Sequence, residues 1–491
     1  MDIIQPFEVP LPSVTEDFEK HIEIEHNKRI LFSAKFGAGK STFLDKYFSE
    51  KAGDYMVLKL YPINYSVAAN EDVFELIKYD LFSELLAKYA DKLDITPEDY
   101  STLFIAQSYI MNDMKVYPFI KALLKATVPN GEAIGEVVDA AKEIFDSFND
   151  YQEKIKKNER NVIEDYIDWC EKRKGSIYER DEITSLITDL ILRVKSKLDD
   201  KPVVLIIDDL DRLDPEHVFR LFNVFSAHND AITDLNKFGV DKVIFVCDYH
   251  NIKLMYKHRY GTGVDFAGYI NKFFSIDVFN FNTTKHLLDS IEEILLKKPT
   301  LNGTRLNQRY SAFDRNNYLV KALVSLFGDL IRYKFITFRS LNKFKQYFIS
   351  DYDVTIDGEN FSASSFYFIT FVNLATQSLS LESLVDALTS LGNNFVNLTT
   401  DEYMANGHSG YPWLIDPALY LSLSGKQIKG ATDDKTKEVT IDNVVFELSL
   451  KYSHELGLIY SEANIPRDTK LNIYKILVTA IKEGERNNLF K

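Results

Sequence analysis

The sequence has 491 residues, which exceeds one ordinary hydrophobic core and suggests about three structural units, or one large unit with additions. Hydrophobic residues make up 45% of the chain and charged residues 27%, which excludes a wholly disordered protein. The net charge of −15 and the isoelectric point near 5.2 disfavour nucleic-acid binding by bulk electrostatics, although a local basic patch stays compatible with it. The two cysteines, Cys170 and Cys247, match neither a disulfide framework nor a zinc site, and there is no HExxH motif.

The sequence indicates a cytoplasmic protein without membrane spans. Residues Met1–Ser13 contain acidic side chains and prolines but no apolar core of a secretory signal. The longest uncharged run, Phe361–Leu381, holds too many serine, threonine, asparagine and glutamine residues for a transmembrane helix. We interpret this run as core-facing structure.

The first part of the chain predicts a strand, a turn and a helix, then a second strand and a long helical region. Apolar Arg29–Ser33 leads through a glycine-rich turn into Phe43–Phe48, and a second β-like run covers Tyr55–Tyr61. Residues 70–200 are mainly helical, and the charged Tyr151–Lys174 within them is typical of a solvated helix. Apolar residues spaced by three and four define the first and last of these helices: Val73, Phe74, Ile77, Leu81, Leu85 and Leu86, then Ile183, Leu186, Ile187, Leu190, Ile191, Val194 and Leu198.

Two further apolar runs, Val203–Ile207 and Val243–Val246, are continuous rather than alternating. This pattern is typical of parallel strands that helices cover on both faces. The pattern then becomes helical, and beyond about residue 350 it is mixed and predicts a separate domain. The later segments are helices at His286–Leu296 and Tyr318–Ile331, a basic stretch at Thr337–Lys345, a turn-rich segment at Gly407–Pro412, a β-like run at Glu438–Leu448 and a helix at Leu471–Lys482.

The turn Ala34–Ser41 fits the pattern [AG]-x-x-x-x-G-K-[ST] of a phosphate-binding loop. Gly37 and Gly39 let successive backbone N–H groups converge on phosphates, and the helix that starts near Lys40 adds its positive dipole. Lys40 is expected to reach the β- and γ-phosphates, and the Ser41 hydroxyl to bind Mg²⁺. The predicted nucleotide-binding residues are Ala34, Lys35, Phe36, Gly37, Ala38, Gly39, Lys40, Ser41 and Thr42.

A cluster of carboxylates, Asp208-Asp-Leu-Asp-Arg-Leu-Asp214, directly follows the strand Val203–Ile207. Adjacent carboxylates repel one another unless a cation compensates them, and Mg²⁺ at the phosphate loop is such a cation. We expect Asp208 to be the metal ligand, acting through a water, and Asp209 to orient the attacking water. Asp214 precedes Pro215-Glu216 and is typical of a helix N-cap, although a functional role stays open.

Together, FGAGKST and IDDLDRLDPE resemble the KAP family of P-loop NTPases, whose sheet carries an extra strand between the Walker A and Walker B strands. Val243-Ile-Phe-Val-Cys-Asp248 is similar to the family's next strand, which implies that Asp248 senses the γ-phosphate. Phe338-Arg-Ser-Leu-Asn-Lys343 is similar to the P-R-x-x-K-R stretch of its helical lid, which implies a catalytic role for Arg339; a solvated basic helix face is the alternative. Tyr269-Ile-Asn-Lys-Phe-Phe274 matches a further family segment.

The resemblance covers roughly residues 15–350. Many members of the family carry membrane helices in the insert, but the insert of this chain has no segment of membrane length, which implies a soluble member. We predict an α/β fold: a P-loop NTPase core with a parallel sheet, a large helical insert, a helical lid and a mixed or helical C-terminal domain. The domain boundaries are an N-terminal segment 1–28, an NTPase domain 29–350 and a C-terminal domain 351–491 of unassigned role. Within the NTPase domain, the insert covers about 70–200 and the lid about 282–350.

Several other residues have ordinary structural explanations. Arg212 either pairs with Asp211, the favoured interpretation, or serves a neighbouring subunit as an arginine finger. Cys247 is interpreted as a small buried residue, and His217 and His250 as structural histidines that lie near the proposed site. The 13% aromatic residues are more typical of core and interface packing than of base stacking.

The sequence therefore predicts a Mg²⁺-dependent ATPase, with ATP and Mg²⁺ as ligands, that couples turnover to a conformational or assembly change. The family resemblance implies bacterial origin, homo-oligomers and a role in anti-phage defence beside an effector protein encoded elsewhere. Two alternatives stay open: a nucleotide-gated oligomerisation switch with little turnover, and a DNA-processing ATPase of the initiator type. The acidic charge disfavours the second, and strong salt-dependent DNA binding would favour it.

Overall fold

The chain forms two compact units, which are described separately. The first unit comprises Ser13–Phe36 and Lys40–Phe281, and the second comprises Met1–Pro12, Gly37–Gly39 and Asn282–Lys491. The computed structural model of the protein describes residues 9–62, 73–89, 92–93, 182–226, 236–297, 300–301, 304–305, 318–343, 348–349, 351–356, 359–405, 411–421, 436–441, 444–453, 458–466 and 469–490.

A parallel sheet of five strands is the centre of the first unit. Its strands are β1 (Arg29–Ser33), β2 (Met56–Leu60), β3 (Val203–Ile207), β4 (Lys242–Cys247) and β5 (Val278–Asn280). They lie in the order β2-β3-β4-β1-β5, so that β4 separates β1 from β3. The strands β1 and β3 have the bounds that their apolar runs predict, and the extra central strand agrees with the resemblance. The predicted α/β fold with a parallel sheet is confirmed.

Helices and short 3-10 turns connect these strands. The helices of the first unit are α1 (Pro12–Glu23), α2 (Lys40–Glu50), α3 (Val73–Tyr89), α4 (Glu182–Lys197), α5 (Pro215–Ser226), α6 (Tyr249–Tyr260) and α7 (Phe266–Ile270). Both ends of the predicted helical region 70–200 are therefore helical, as α3 and α4. Its middle, including Tyr151–Lys174, lies outside the described residues.

The strands β1, β2, β3 and β4 are largely buried because helices cover the sheet, whereas the edge strand β5 is partly exposed. Every residue of β3 is at most 1% exposed, which explains why its sequence is apolar throughout rather than alternating. On the α1 and α2 side, the fully buried Phe18 ring lies at the centre of an aromatic cluster. Its ring centroid is between 4.9 and 6.4 Å from those of Phe32, Phe43, Tyr47, Phe48 and Phe279. As predicted, these aromatic residues are core packing, which holds α2 firmly on the sheet.

The second unit is mixed in secondary structure. Its helices are α8 (Thr284–Lys297), α9 (Tyr318–Arg332), α10 (Phe338–Lys343), α11 (Tyr367–Thr376), α12 (Leu381–Asn394), α13 (Thr400–Ala405), α14 (Tyr411–Leu421) and α15 (Ile473–Arg486). Its strands are β6 (Thr300–Leu301), β7 (Thr304–Arg305), β8 (Phe348–Ile349), β9 (Asp353–Ile356), β10 (Glu359–Ser362), β11 (Leu398–Thr399), β12 (Thr436–Ile441), β13 (Val444–Ser453), β14 (Leu458–Asn464) and β15 (Lys470–Leu471). The strands β12, β13 and β14 form an antiparallel sheet.

One hydrophobic core joins the helices of this unit. Helix α11, which lies in the uncharged run Phe361–Leu381, is buried along Tyr367–Ala375, as its apolar composition predicts. The run Glu438–Leu448 falls on two paired strands, β12 and β13, instead of one. Within the part of the chain that the structure describes, no helix combines the length and apolarity needed to cross a membrane.

A hydrogen-bonded carboxylate in the second unit gives a pH-dependent prediction. Asp351 accepts hydrogen bonds from the hydroxyls of Ser362 at 2.5 Å and Ser364 at 2.7 Å, and from the backbone N–H groups of Tyr352 and Ser364. We expect Asp351→Asn to lower the free energy of unfolding by about 1–3 kcal/mol at neutral pH, since it replaces one of the two accepting oxygens with an NH₂ donor and removes the charge that strengthens these hydrogen bonds.

The pH dependence of this loss has a definite sign. Burial alone raises the pKa of Asp351, but the hydrogen bonds outweigh it and hold the pKa below its ordinary value of 3.8. A lowered folded-state pKa stabilises the protein above the unfolded-state pKa, and this stabilisation is lost as the pH falls through the folded-state pKa. Urea unfolding should show a constant difference between wild type and variant down to about pH 4. A difference that disappears nearer to neutral pH contradicts this assignment.

Candidate functional site

The glycine-rich turn lies between β1 and α2 and closes around a buried lysine. Gly37 and Gly39 have φ angles of +79° and +91°, a conformation that glycine adopts without strain. Ala34, which replaces the glycine of the stricter motif, does not have a positive φ, so its side chain is tolerated. Lys40 is 6% exposed, and its ammonium donates hydrogen bonds to the Ala34 carbonyl at 2.8 Å and the Lys35 carbonyl at 3.4 Å.

The first turn of α2 supplies unpaired backbone donors beside this lysine. A helix leaves its first N–H groups without intrahelical partners, and its dipole makes this end positive. Ser41 lies in this turn and is half-buried, whereas Thr42, Lys35 and Phe36 are exposed. The Ala34 N–H donates to the Cys247 carbonyl at 3.2 Å, which fixes the start of the loop to the end of β4. Phosphate oxygens match such an arrangement of donors.

The predicted acidic residues directly follow β3. Asp208 is 2% exposed, and its Oδ1 accepts the Asp209 N–H at 2.9 Å. Asp209 has a φ of 53°, a left-handed conformation that aspartate tolerates better than most residues. Burial raises the pKa of the Asp209 carboxyl, the adjacent Asp208 charge adds to this rise, and the positive charges of Arg212 and Lys40 oppose it. The Lys40 ammonium is therefore among the charges that act on this carboxyl.

Arg212 pairs with Asp209, and the favoured prediction of an ion pair with Asp211 is wrong. The Arg212 Nη1 lies 3.3 Å from Asp209 Oδ2, because the 3-10 turn Leu210–Arg212 brings residues three positions apart onto one side. Asp211 instead accepts a hydrogen bond from the Asn251 side chain at 3.3 Å. The guanidinium of Arg212 also lies 4.6 Å from the centre of the Phe36 ring, so it connects the acidic turn to the phosphate loop.

Asp248 and Cys247 lie at the same edge of the sheet. Asp248 directly follows β4, is 8% exposed and caps α6, because its Oδ1 accepts the His250 N–H at 2.9 Å. This hydrogen bond fixes the position of the Asp248 carboxyl. The role of Asp248 as a γ-phosphate sensor stays a prediction. Cys247 is fully buried, as predicted, and burial raises the pKa of its thiol. Asp214 caps α5 as expected, since its Oδ1 accepts the Glu216 N–H at 2.9 Å.

Arg339 lies in the first turn of α10 and is exposed. Its backbone N–H donates to the Gly37 carbonyl at 3.0 Å, a contact within the second unit, to which Gly37–Gly39 belong. A Cβ atom at Gly37 would lie 2.8 Å from Thr337 Oγ1, so close approach as well as backbone conformation requires glycine there. The catalytic role of the Arg339 guanidinium stays a prediction.

The structure adds Lys59 of β2, which the sequence did not single out. Its ammonium lies 2.7 Å from Asp45 Oδ1 and 3.2 Å from Asp208 Oδ2. Burial lowers the pKa of Lys59, but the hydrogen bond to Asp45 and the charges of Asp208 and Asp45 outweigh it and raise the pKa overall. A lysine inside the apolar segment YMVLKLY was the available signal, since a buried lysine needs a carboxylate partner.

The donor set at this edge fits Mg²⁺. Magnesium prefers oxygen ligands and is commonly held by one or two protein groups together with phosphates and waters. The Asp208 carboxylate and the Ser41 hydroxyl are such oxygen donors, and the buried Asp208 carboxylate has a cationic partner already in Lys59. Among the described residues, no group of three or more His, Cys, Asp and Glu side chains could hold a metal.

Three features together define a P-loop nucleotide-binding protein. They are a parallel sheet, a glycine-rich loop that leads into a helix, and carboxylates that directly follow β3, which β4 separates from β1. The family model described as KAP family P-loop domain matches residues 20–326, well over half of the chain. The protein therefore belongs to the KAP family of P-loop NTPases, as its FGAGKST and IDDLDRLDPE segments predict. A nucleotide-binding function of the ATPase type follows from this membership. No curated protein matches the chain closely enough to count as a relative.

Proposed function

We propose that the protein binds ATP with Mg²⁺ and hydrolyses it, and that this cycle drives a conformational or assembly change. The observation that carries the proposal is the contact between the acidic turn and the phosphate loop: Arg212 lies 3.3 Å from Asp209 Oδ2 and 4.6 Å from the centre of the Phe36 ring. A cation for the phosphates, a carboxylate for the metal and a second carboxylate for water are the groups that hydrolysis by this class requires.

The binding part of this proposal assigns one task to each group. Lys40 neutralises the β- and γ-phosphates, and the backbone N–H groups of Gly37–Thr42 donate to their oxygens. Ser41 and Asp208 would hold Mg²⁺, which when bound shields the phosphate charge and polarises the phosphoryl group. Phosphate contacts of this kind do not read the base, so the preference for ATP over GTP is also a proposal.

The catalytic part of this proposal rests on Asp209. An ionised carboxylate accepts a hydrogen bond from the attacking water and orients it toward the γ-phosphate. The short tether to the buried strand β3 limits where this carboxylate can move. From the family resemblance, we assign the role of γ-phosphate sensor to Asp248 and a catalytic role to Arg339.

A second candidate, the nucleotide-gated switch, is favoured by one contact. The Arg212 guanidinium occupies Asp209 Oδ2 at 3.3 Å, and a carboxylate held in this ion pair is a weaker acceptor for water. If this pair persists with nucleotide bound, ATP binding reorganises the protein with little turnover. Under this candidate, the biological output depends on a partner.

The proposed partners follow from the family resemblance alone. They are further copies of this chain and an effector protein encoded elsewhere, acting in anti-phage defence. Light scattering of the purified protein with ATP and with ADP measures its molar mass, and therefore whether copies of this chain assemble. A mass that changes with the nucleotide supports assembly as the output of the cycle.

The proposed function is tested on the purified full chain. Equilibrium binding of fluorescent ATP and GTP and release of inorganic phosphate would be measured with Mg²⁺ and with EDTA. We expect nucleotide binding in both conditions, tighter binding with Mg²⁺, and phosphate release only with Mg²⁺. Tight binding without phosphate release would favour the switch, whereas absence of binding would overturn both candidates.

A further inference from the structure

Lys59 is a charged residue inside a strand that is otherwise apolar and, except for the half-buried Val57, buried. Its neighbours Met56, Leu58 and Leu60 are at most 1% exposed, and Lys59 itself is 7% exposed. The strand β2 pairs with β3, and Lys59 lies opposite Ile206, two residues before Asp208. The parallel register therefore brings this ammonium to the carboxyl end of β3, where the proposed metal ligand lies.

Both ion pairs of the Lys59 ammonium are with residues of the nucleotide site or of the helix that carries it, and the ammonium also lies 5.0 Å from the centre of the Tyr61 ring. It lies 3.2 Å from Asp208 Oδ2, while Asp208 Oδ1 accepts the Asp209 N–H, so both oxygens of this carboxylate are held. It lies 2.7 Å from Oδ1 of Asp45 on α2. Asp45 is one helical turn after Ser41, so the two share a face of α2. Lys59 thereby connects the metal-binding strand to the helix with the metal-binding hydroxyl.

The charges of Lys59, Asp45 and Asp208 together also favour the binding of a cation. Two carboxylates and one ammonium leave a net charge of −1, and the Asp208 and Lys59 side chains are only 3% and 6% exposed. A buried ion pair is weak support for stability, since an apolar pair of similar volume is often as stable. A function for the pair explains its place at Asp208 better than stability does.

We propose that Lys59 is a positioning residue for the metal end of the nucleotide site, an inference that rests on the proposed function. Lys59 fixes the Asp208 carboxylate relative to α2, so that Asp208 and Ser41 are set to receive Mg²⁺ together with the nucleotide. Partners that orient a metal ligand in this way typically change metal affinity by about 10–100-fold when they are removed.

The test compares nucleotide affinity with Mg²⁺ and with EDTA in the full chain, using a slowly hydrolysed fluorescent ATP analogue. The ratio of the two affinities is the Mg²⁺-dependent gain. We expect Lys59→Met to reduce this gain by about 10–100-fold. Its affinity in EDTA should stay within about threefold of wild type, because Lys40 and the loop N–H groups still bind phosphate.

Two further variants keep the test decisive. Lys88→Met removes a lysine near the same strand, whose ammonium pairs with Glu84 and not with Asp208, and should leave the gain unchanged. Asp45→Asn removes only the outer partner of Lys59, and its side chain is 57% exposed, so the fold should tolerate it. We expect Asp45→Asn to lower the gain by a smaller factor, about two- to fivefold.

Three outcomes would overturn the inference. The first is a Mg²⁺-dependent gain in Lys59→Met that equals the gain of the wild type. The second is a loss of nucleotide affinity in Lys59→Met that is equal with Mg²⁺ and with EDTA, which indicates a purely structural role. The third applies if thermal unfolding shows that Lys59→Met does not fold: an unchanged gain in Asp45→Asn then refutes the positioning role. A wild-type protein that binds no nucleotide refutes the proposed function, and this inference falls with it.

Discussion

Replacement of Asp209 by asparagine is expected to lower the rate of ATP hydrolysis by about 10²–10⁴-fold and to leave ATP affinity within about threefold of wild type. Asparagine keeps the shape of aspartate but loses the negative charge that accepts a proton from water and orients it. The phosphate contacts proposed for Lys40 and the metal contacts proposed for Asp208 do not involve this side chain. Phosphate release under saturating ATP and equilibrium binding measure the two quantities separately.

Asp214→Asn is the matched control for this substitution. Asp214 belongs to the same acidic segment, but its carboxylate caps α5 through the Glu216 N–H, and asparagine is an equally good N-cap residue. The control should therefore retain wild-type turnover. Turnover that survives in Asp209→Asn, at a rate close to that of the control, would show that another group orients the water.

The strands next to the site were predictable because the burial of a strand determines which of its residues are apolar. A strand covered on both faces is apolar at every position, and Val203–Ile207 is one, so its bounds follow from composition alone. The phosphate loop was also predictable, because the left-handed conformations of Gly37 and Gly39 require glycine. Local rules of this kind do not depend on distant contacts.

The side-chain partners at the site were less accessible, because they depend on three-dimensional geometry. The pairing of Arg212 with Asp209 rather than Asp211 follows from a 3-10 turn that no local pattern signals. The pairing of Lys59 with Asp208 depends on the parallel register of β2 and β3, whose residues are far apart in the chain. Such contacts become predictable only once the order of strands is known.

The region after residue 350 was the least predictable part. Its core combines helices with an antiparallel sheet, and both element types there contain apolar residues without one long, regular period. The run Glu438–Leu448 falls on two strands that pair with each other, so the composition of the run signals β-structure but not its turn. The tail also carries no sequence motif with a chemical rationale, which is why no task could be assigned to it.

Replacement of Lys40 by alanine is expected to lower ATP affinity by at least about 100-fold, both with Mg²⁺ and with EDTA. The substitution removes the charge-assisted hydrogen bonds that we propose Lys40 makes to the β- and γ-phosphates. Each is worth about 1.5–3 kcal/mol, and about 1.4 kcal/mol corresponds to tenfold in affinity. It also removes the donor that holds the Ala34 and Lys35 carbonyls and closes the loop. The affinity is measured by titration with the fluorescent nucleotide.

Lys35→Ala provides the comparison within the same loop. Lys35 is exposed, and the loop uses its backbone carbonyl, which alanine retains. We expect an affinity within about threefold of wild type, since an exposed lysine contributes little once salt screens its charge. The loss in Lys40→Ala should be independent of Mg²⁺, whereas the loss in Lys59→Met should depend on it, so the two lysines act on different ends of the bound nucleotide. Equal, wild-type affinities in Lys40→Ala and Lys35→Ala would mean that the nucleotide binds elsewhere.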